Sequence, residues 1–199
     1  MREFIYFSNK ARTSGNFDTS KLMDAGRMDI ACHVLINTFF LSHKIREKTK
    51  LHLVFNGPPN PPMHLMLFPN GKKSSGTIHL SKKDVANLIK KMLYKHKKNK
   101  KIIVEEGYEI EKKSLFKLIE ELIKEGKEVF ILDSKGTDLR KVSFQEDSVF
   151  VLADQDGFPK KELKKLKSLG KSISIGKQIY FASQVVTIVN HELDFQNLA

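Results

Sequence analysis

The chain has 199 residues, the length of one domain, and 40% of them are apolar, enough to build a core without a metal or disulfide to hold it. Its 35 Lys and Arg against 23 Asp and Glu leave a formal charge of +12, which points to a polyanionic partner. A single cysteine, Cys32, excludes an intramolecular disulfide and a cysteine-rich zinc site. No apolar run approaches the ~18 residues of a membrane span, so the expectation is a cytoplasmic protein with no membrane segment.

In chain order, Glu3 to Phe7 is apolar and β-prone and is followed by a polar loop of some twenty residues that contains Arg12-Thr13-Ser14-Gly15. Loops of that length are usually functional or disordered. A helix is predicted over Met28 to His43, with Ile30, Val34, Leu35, Thr38 and Leu41 on one face. Leu51 to Phe55 reads as a buried strand that runs into Asn56-Gly57-Pro58-Pro59-Asn60-Pro61-Pro62, a rigid segment that continues neither helix nor sheet. His64 to Phe68 and Thr77 to Leu80 read as short strands, paired as a hairpin across Pro69-Asn70-Gly71. Ser81 then caps a helix with Val85, Leu88, Ile89, Met92 and Leu93 at helical spacing.

Lys101 to Val104 is a predicted strand, and Lys112 to Glu125 a helix with Leu115, Phe116, Leu118, Ile119, Leu122 and Ile123 inward, ended by Gly126. Strands follow at Glu128 to Leu132, Ser148 to Ala153 and Ser172 to Ile175, each running into a polar, glycine-bearing turn. A short helix, Leu163 to Leu169, separates the last two, and a longer one covers Tyr180 to Leu193. This alternation predicts an α/β domain with a mainly parallel sheet and flanking helices, whose ligand lies outside the carboxyl ends of the strands. The turns Asp133-Ser134-Lys135-Gly136, Asp154-Gln155-Asp156-Gly157-Phe158-Pro159 and Gly176-Lys177-Gln178 form that edge. Their exposed backbone N–H and C=O groups suit an adenine edge and a ribose.

The excess charge is uneven: residues 1–81 carry +6, residues 82–101 carry +8 and residues 102–199 carry −2. Lys90, Lys91, Lys95, Lys97, Lys98, Lys100 and Lys101 therefore read as a phosphate-facing surface. No G-x-G-x-x-G, P-loop or G-x-S-x-G occurs, and the seven histidines are scattered, so neither a dinucleotide fold of the usual kind nor a metal site is expected.

Four strings in this order resemble one family: Arg12-Thr13-Ser14-Gly15, Gly26-Arg27-Met28-Asp29, Asn56 to Pro62, and Ile188-Val189-Asn190-His191-Glu192-Leu193-Asp194. The chain is similar along essentially its whole length to TrmY, the archaeal tRNA (pseudouridine-54, N1)-methyltransferases of the SPOUT superfamily. The resemblance implies a single domain, residues 1–199, whose part from about 128 to 199 is threaded into a trefoil knot, working as a homodimer with tRNA as partner. It implies S-adenosyl-L-methionine at Leu132, Gly157 and the run Ile175, Gly176, Lys177, Gln178, Ile179 and Tyr180. Val185 stands where many relatives have a cysteine near the cofactor, so a thiol is not essential to the transfer here. For the chemistry, Arg27 is the first choice to stabilise charge on the pseudouridine ring, Arg12 can clamp a phosphate beside the flipped base, and Asp29 or Asp24 can take the N1 proton. Methylation of ribosomal RNA, or RNA binding without catalysis, are the alternatives the resemblance leaves open.

Overall fold

The computed structural model describes residues 1–69 and 81–198, so the predicted strand at Thr77 to Leu80 and its hairpin turn at Asn70 and Gly71 lie outside the described residues. The elements are β1 (Arg2–Ser8), α1 (Met28–Phe39), β2 (Thr49–Phe55), β3 (Met63–Leu67), α2 (Lys82–Lys95), β4 (Ile102–Glu105), β5 (Tyr108–Glu111) and α3 (Leu115–Lys124). They continue with β6 (Glu128–Asp138), β7 (Ser148–Ala153), α4 (Lys160–Leu169), β8 (Lys171–Ser174) and α5 (Ala182–Phe195). Among the described residues the strands form one sheet, ordered β4-β5-β3-β2-β1-β7-β6-β8. The five from β2 to β8 run parallel, and β3, β5 and β4 extend the sheet antiparallel.

Strand β1 shows why the centre of this sheet reads as unbroken apolar sequence. Its side chains alternate, Phe4 and Tyr6 into the core under α1, α2 and α5, Ile5 and Phe7 into the core under α3 and α4. Both faces are covered, so both sets must be apolar. The chain leaves β1 in one direction to build β2 and β3, and later returns on the other side to build β7, β6 and β8.

Helix ends depart from the predicted boundaries for local reasons. Helix α1 stops at Phe39 rather than His43, because Phe40 turns extended and bridges Ile45. Helix α3 starts later than Lys112, since Tyr108–Glu111 is a strand and Ser114 is the cap, its Oγ accepting from Lys117 N at 3.3 Å. Ile123, expected inward, is exposed. Ser81 caps α2 as expected, accepting from Asp84 N at 3.1 Å.

At the edge formed by β6 and β8, Ile173 pairs with both Leu132 and Thr137, so residues 133–136 loop out around it. Gly136 lies directly on the Ile173 backbone: a Cβ there would sit 2.5 Å from Ile173 N and C.

Two of the histidines that look scattered in sequence meet across β2 and β3. His52 Nδ1 and His64 Nε2 are 2.9 Å apart, with Glu3 against His52 Nε2 at 3.0 Å and Glu111 against His64 Nδ1 at 3.3 Å. Among the described residues no three His, Cys, Asp or Glu side chains are grouped to hold a metal, and no helix is long and apolar enough to cross a membrane.

Candidate functional site

A cavity of about 370 Å³ lies at the carboxyl edge, between the turns that follow β6, β7 and β8. Of the residues predicted to bind a cofactor, Leu132, Gly157, Ile175, Gly176, Gln178, Ile179, Tyr180 and Val185 all line it; Lys177 is not among the described lining residues. Asp133, Asp154 and Asp156, turn residues in the sequence, also line it, and Leu152, Leu163 and Ala182, which strand ends do not mark, complete the apolar wall. Tyr180 belongs to the loop before α5, which starts at Ala182.

The turns are pre-shaped by their own short side chains. Asp154 Oδ1 accepts from Asp156 N at 3.1 Å, and Ser174 Oγ accepts from Gly176 N at 3.1 Å. Gly157 and Gly176 have φ of 69° and 130°, and a Cβ at either would meet nothing within 4 Å among the described residues. Glycine is therefore required there by backbone conformation, and the space it leaves opens the main chain to a ligand.

Three of the four strings converge beside this cavity. Arg12 N donates to Ala25 O at 3.2 Å, Gly57 N to Ala11 O at 3.1 Å, and Thr13 Oγ1 to Gly57 O at 2.9 Å. Gly57 and Gly26 are held so closely to Lys10 O that a Cβ would fall 2.3 and 1.7 Å from it. The loop after β1 is thus stitched to the proline segment and to the start of α1.

Arg27 sits at that start in the left-handed conformation, φ 64°, and its guanidinium is clamped by Asp29 through Nε–Oδ1 and Nη2–Oδ2 contacts of 3.1 Å each. This pairing raises Arg27. For Asp29, burial works in favour of protonation, but the guanidinium outweighs it and holds the carboxyl below its usual range. Arg27 lies within electrostatic reach of Tyr6 and of Asp156 on the cavity wall. Arg12 is half-buried, its Nε without a hydrogen-bond partner among the described residues. On the far side of Asp29 a second cleft, about 620 Å³, runs past Asp24 to Lys82 and Lys83.

The lysine surface is more divided than its sequence suggests. Lys90 is half-buried and structural, donating to Phe17 O at 2.6 Å, while Lys91 pairs with Glu105 at 3.6 Å and Lys101 with Glu109 at 2.6 Å. Lys95, Lys97, Lys98 and Lys100 remain exposed. The fourth string serves the fold: Asp194 takes both Arg46 nitrogens, at 2.7 and 2.6 Å, and Arg2 at 2.9 Å, while Asn190 binds Arg2 and Asn37. His191 is exposed. Cys32 is buried in α1, and burial pushes its thiol up to about 12.

Residues 1–198 match the family of SAM-dependent RNA methyltransferases, Methyltrn_RNA_2. The chain belongs to this family. It is 33% identical to the tRNA (pseudouridine(54)-N(1))-methyltransferase of Thermococcus onnurineus, covering 98% of this chain and 97% of that one. Against the Pyrococcus abyssi enzyme of the same name the identity is 32%, covering 98% of each. In fold the chain is similar to Archaeoglobus fulgidus Nep1 bound to S-adenosylhomocysteine, with a TM-score of 0.64, 15% identity and 99% of both chains covered. As a SAM-dependent methyltransferase, the chain has a cavity suited to that cofactor. The volume is in the range of small-molecule sites, Leu152, Leu163 and Val185 offer an apolar wall, and the open main chain at Gly157 and Gly176 offers donors and acceptors.

Proposed function

We propose that this protein methylates N1 of pseudouridine at position 54 of tRNA, with S-adenosylmethionine as donor. The observation that carries the reading is that the Arg12 and Arg27 loops lie next to the cavity shaped by the last three strand-end turns, tied to its wall by Ser8 to Asp154 and Lys10 to Asp156 and by the reach of Arg27 to Asp156. The names of the relatives in Thermococcus and Pyrococcus support the choice of tRNA and of pseudouridine-54.

When bound, S-adenosylmethionine supplies an electrophilic sulfonium methyl. Leu132, Ile175 and Val185 would hold its apolar parts, and the turns at Gly157 and Gly176 its polar edge. Arg27 stabilises the negative charge that spreads to the ring carbonyl oxygens as the N1 proton departs to solvent, and it is already oriented before substrate arrives. Asp29, ionised and with both oxygens engaged by Arg27, serves to orient that guanidinium rather than to accept the proton. Arg12 clamps a phosphate beside the extruded base, and Lys95, Lys97, Lys98 and Lys100 add affinity without sequence choice.

The same reading includes a single domain with a knotted, cofactor-binding part from about 128 to 199, for which the register shift of β6 against Ile173 and the close approach of Gly136 to it leave room. It includes a homodimer, supported by the exposure of Ile179 (95%) and Phe181 (61%) beside the cavity, and a cytoplasmic site of action, where tRNA is processed. The test is to incubate the protein with labelled S-adenosylmethionine and tRNA carrying either pseudouridine or uridine at position 54, followed by nucleoside analysis. Label in N1-methylpseudouridine from the first tRNA alone is the expected result; label in neither, with cofactor binding intact, overturns the reading.

A further inference from the structure

The arginine loop and the cofactor turn are separate in sequence but share one buried joint. Ser8, the last residue of β1, is fully buried. Its Oγ accepts from the backbone N–H of Lys10 and of Ala11, at 3.3 and 3.1 Å, and so sets the direction in which the Arg12 loop leaves the sheet. The same hydroxyl donates to Asp154 Oδ2 at 2.7 Å. Asp154, itself 7% exposed, spends its other oxygen on Asp156 N at 3.1 Å and its own N–H on Phe7 O at 3.0 Å. Asp154 is also part of the cavity wall.

The hydroxyl donates once and accepts twice, and each carboxylate oxygen accepts once. The single hydroxyl proton goes to Asp154, the hydroxyl lone pairs to the arginine loop, and the two carboxylate oxygens divide between β1 and the cofactor turn. A shift of the 154–157 turn therefore draws on Ser8, and a shift of Ser8 releases two backbone N–H groups at the root of the Arg12 loop. A second tie joins the same two segments, Lys10 Nζ to Asp156 Oδ2 at 2.7 Å, but its partners are 61% and 39% exposed. Solvent-screened pairs of that kind contribute little. The buried tie is the one able to transmit a displacement, because a buried carboxylate left without its donor is costly.

We propose that Ser8 is a positioning residue that acts through Asp154 to couple the cofactor turn to the arginine loop, so that cofactor and target RNA bind cooperatively. The proposal rests on the assignment of these loops to cofactor and RNA. By linkage, a cofactor product that tightens RNA binding must itself be bound more tightly in the presence of RNA by the same factor.

The test measures binding as well as turnover, with S-adenosylhomocysteine and a T-arm stem-loop RNA carrying pseudouridine at position 54 as probes. In the wild type, S-adenosylhomocysteine should tighten RNA binding by about tenfold, an ordinary size for allosteric coupling. Ser8→Ala should bring that factor to near one and lower kcat about tenfold, while binding of S-adenosylhomocysteine alone changes less than threefold. Asp154→Asn, which keeps the volume but cannot accept from both Ser8 and Asp156 N–H, should lose most of the coupling too and serves if Ser8→Ala fails to fold. The double variant should be no worse than the poorer single one. Lys10→Ala, which cuts only the exposed tie, should keep the coupling factor. Wild-type coupling near one, or full coupling in both Ser8→Ala and Asp154→Asn, overturns the proposal. Failure of the enzymatic reading shows differently: the stem-loop does not bind at all, or is bound cooperatively and never methylated.

Discussion

Replacing Glu3 by Gln should remove a large, pH-dependent share of the stability of this fold. Glu3 is 1% exposed and receives His52 Nε2 at 3.0 Å, Lys127 Nζ at 2.7 Å and Lys50 Nζ at 3.4 Å. Burial alone would raise its carboxyl, but the hydrogen bonds from His52 and Lys127 and the charge of Lys50 outweigh it and hold the group at about 2, against an ordinary 4.5. A carboxyl depressed by this much stabilises the folded state by roughly 3 kcal/mol, at about 1.4 kcal/mol per unit. That figure agrees with the ~3–5 kcal/mol lost when one member of a buried ion pair is removed. In a chain of this length it corresponds to a fall in Tm of about 6–12 °C. The sign follows from the depressed value: the contribution is complete above about pH 4.5 and is lost as pH falls through about 2. Thermal unfolding followed by circular dichroism, for wild type and Glu3→Gln, should show the full gap at pH 7 and a shrinking one towards pH 2. The same gap at both pH values, or one below 1 °C at pH 7, would refute the reasoning. His52, wholly buried and pushed down to about 4 by that burial, adds its own loss between about pH 6.5 and 4, and because Glu3 favours its charged form that loss is larger in Glu3→Gln, so the two proteins are compared at pH 7 and near pH 2 rather than between.

Other outcomes follow from the site. Arg27→Ala should lower kcat by about 10²–10³, the size seen when one charge-stabilising donor is removed, and equal loss of S-adenosylmethionine binding in calorimetry would reassign the residue to the cofactor. Gly157→Ala meets no neighbour within 4 Å among the described residues but forces a side chain to φ 69°, at a cost of ~1–2 kcal/mol, so cofactor binding should weaken about 5–30-fold with the fold intact. Gly136→Ala, by contrast, drives a methyl into the Ile173 backbone and should leave the protein insoluble or unfolded on expression. Changing Lys95, Lys97, Lys98 and Lys100 to Gln should reduce the slope of log RNA affinity against log salt by up to about four, leaving the choice of base unaltered; an unchanged slope would place the phosphate track elsewhere.

What could be read from residues alone was the part written in local chemistry. The alternation of apolar runs with turns marks β1, β2, β6, β7 and β8, and strand ends with Asp and Gly mark the cofactor edge, because parallel sheets must put their ligand there. Strand β5 escaped because Tyr108-Glu109-Ile110-Glu111 is short, alternating apolar with acidic residues over only four positions, and it is left unassigned between the predicted strand and the helix that starts at Lys112. The bridge of His52 to His64 escaped because it depends on antiparallel register: the partners are twelve residues apart and meet only once β2 and β3 pair. The division of the lysines had no sequence signal either, since Lys90 points inward only because the Phe17 loop folds back over α2. The register shift that pairs Ile173 with both Leu132 and Thr137 is likewise invisible to any reading of periodicity, although a glycine at position 136 is its local trace.

The pairing of Arg27 with Asp29 separates two accounts of how the N1 proton is removed. An effective general base has a pKa near the working pH, which burial usually provides by raising a carboxylate. Here burial does press in that direction, yet the two contacts of 3.1 Å to Arg27 reverse the outcome, and proton transfer to Asp29 becomes uphill. Arg27 in turn adopts a left-handed backbone uncommon for a long side chain, so the surrounding fold bears strain to hold that guanidinium in place. An arginine so constrained is prepared for charge that develops later, and its carboxylate partner is the constraint. Asp29→Asn should accordingly lower kcat to the same extent as Arg27→Lys, because each breaks the two-point contact, and the shape of the pH–rate profile should not change. If Asp29 were the base, the Asn variant would lose far more activity than Arg27→Lys at every pH from 5 to 9, since a carboxyl held below its usual range is ionised throughout that window. Measuring kcat from pH 5 to 9 for the three proteins distinguishes a carboxylate that moves a proton from one that aims a cation.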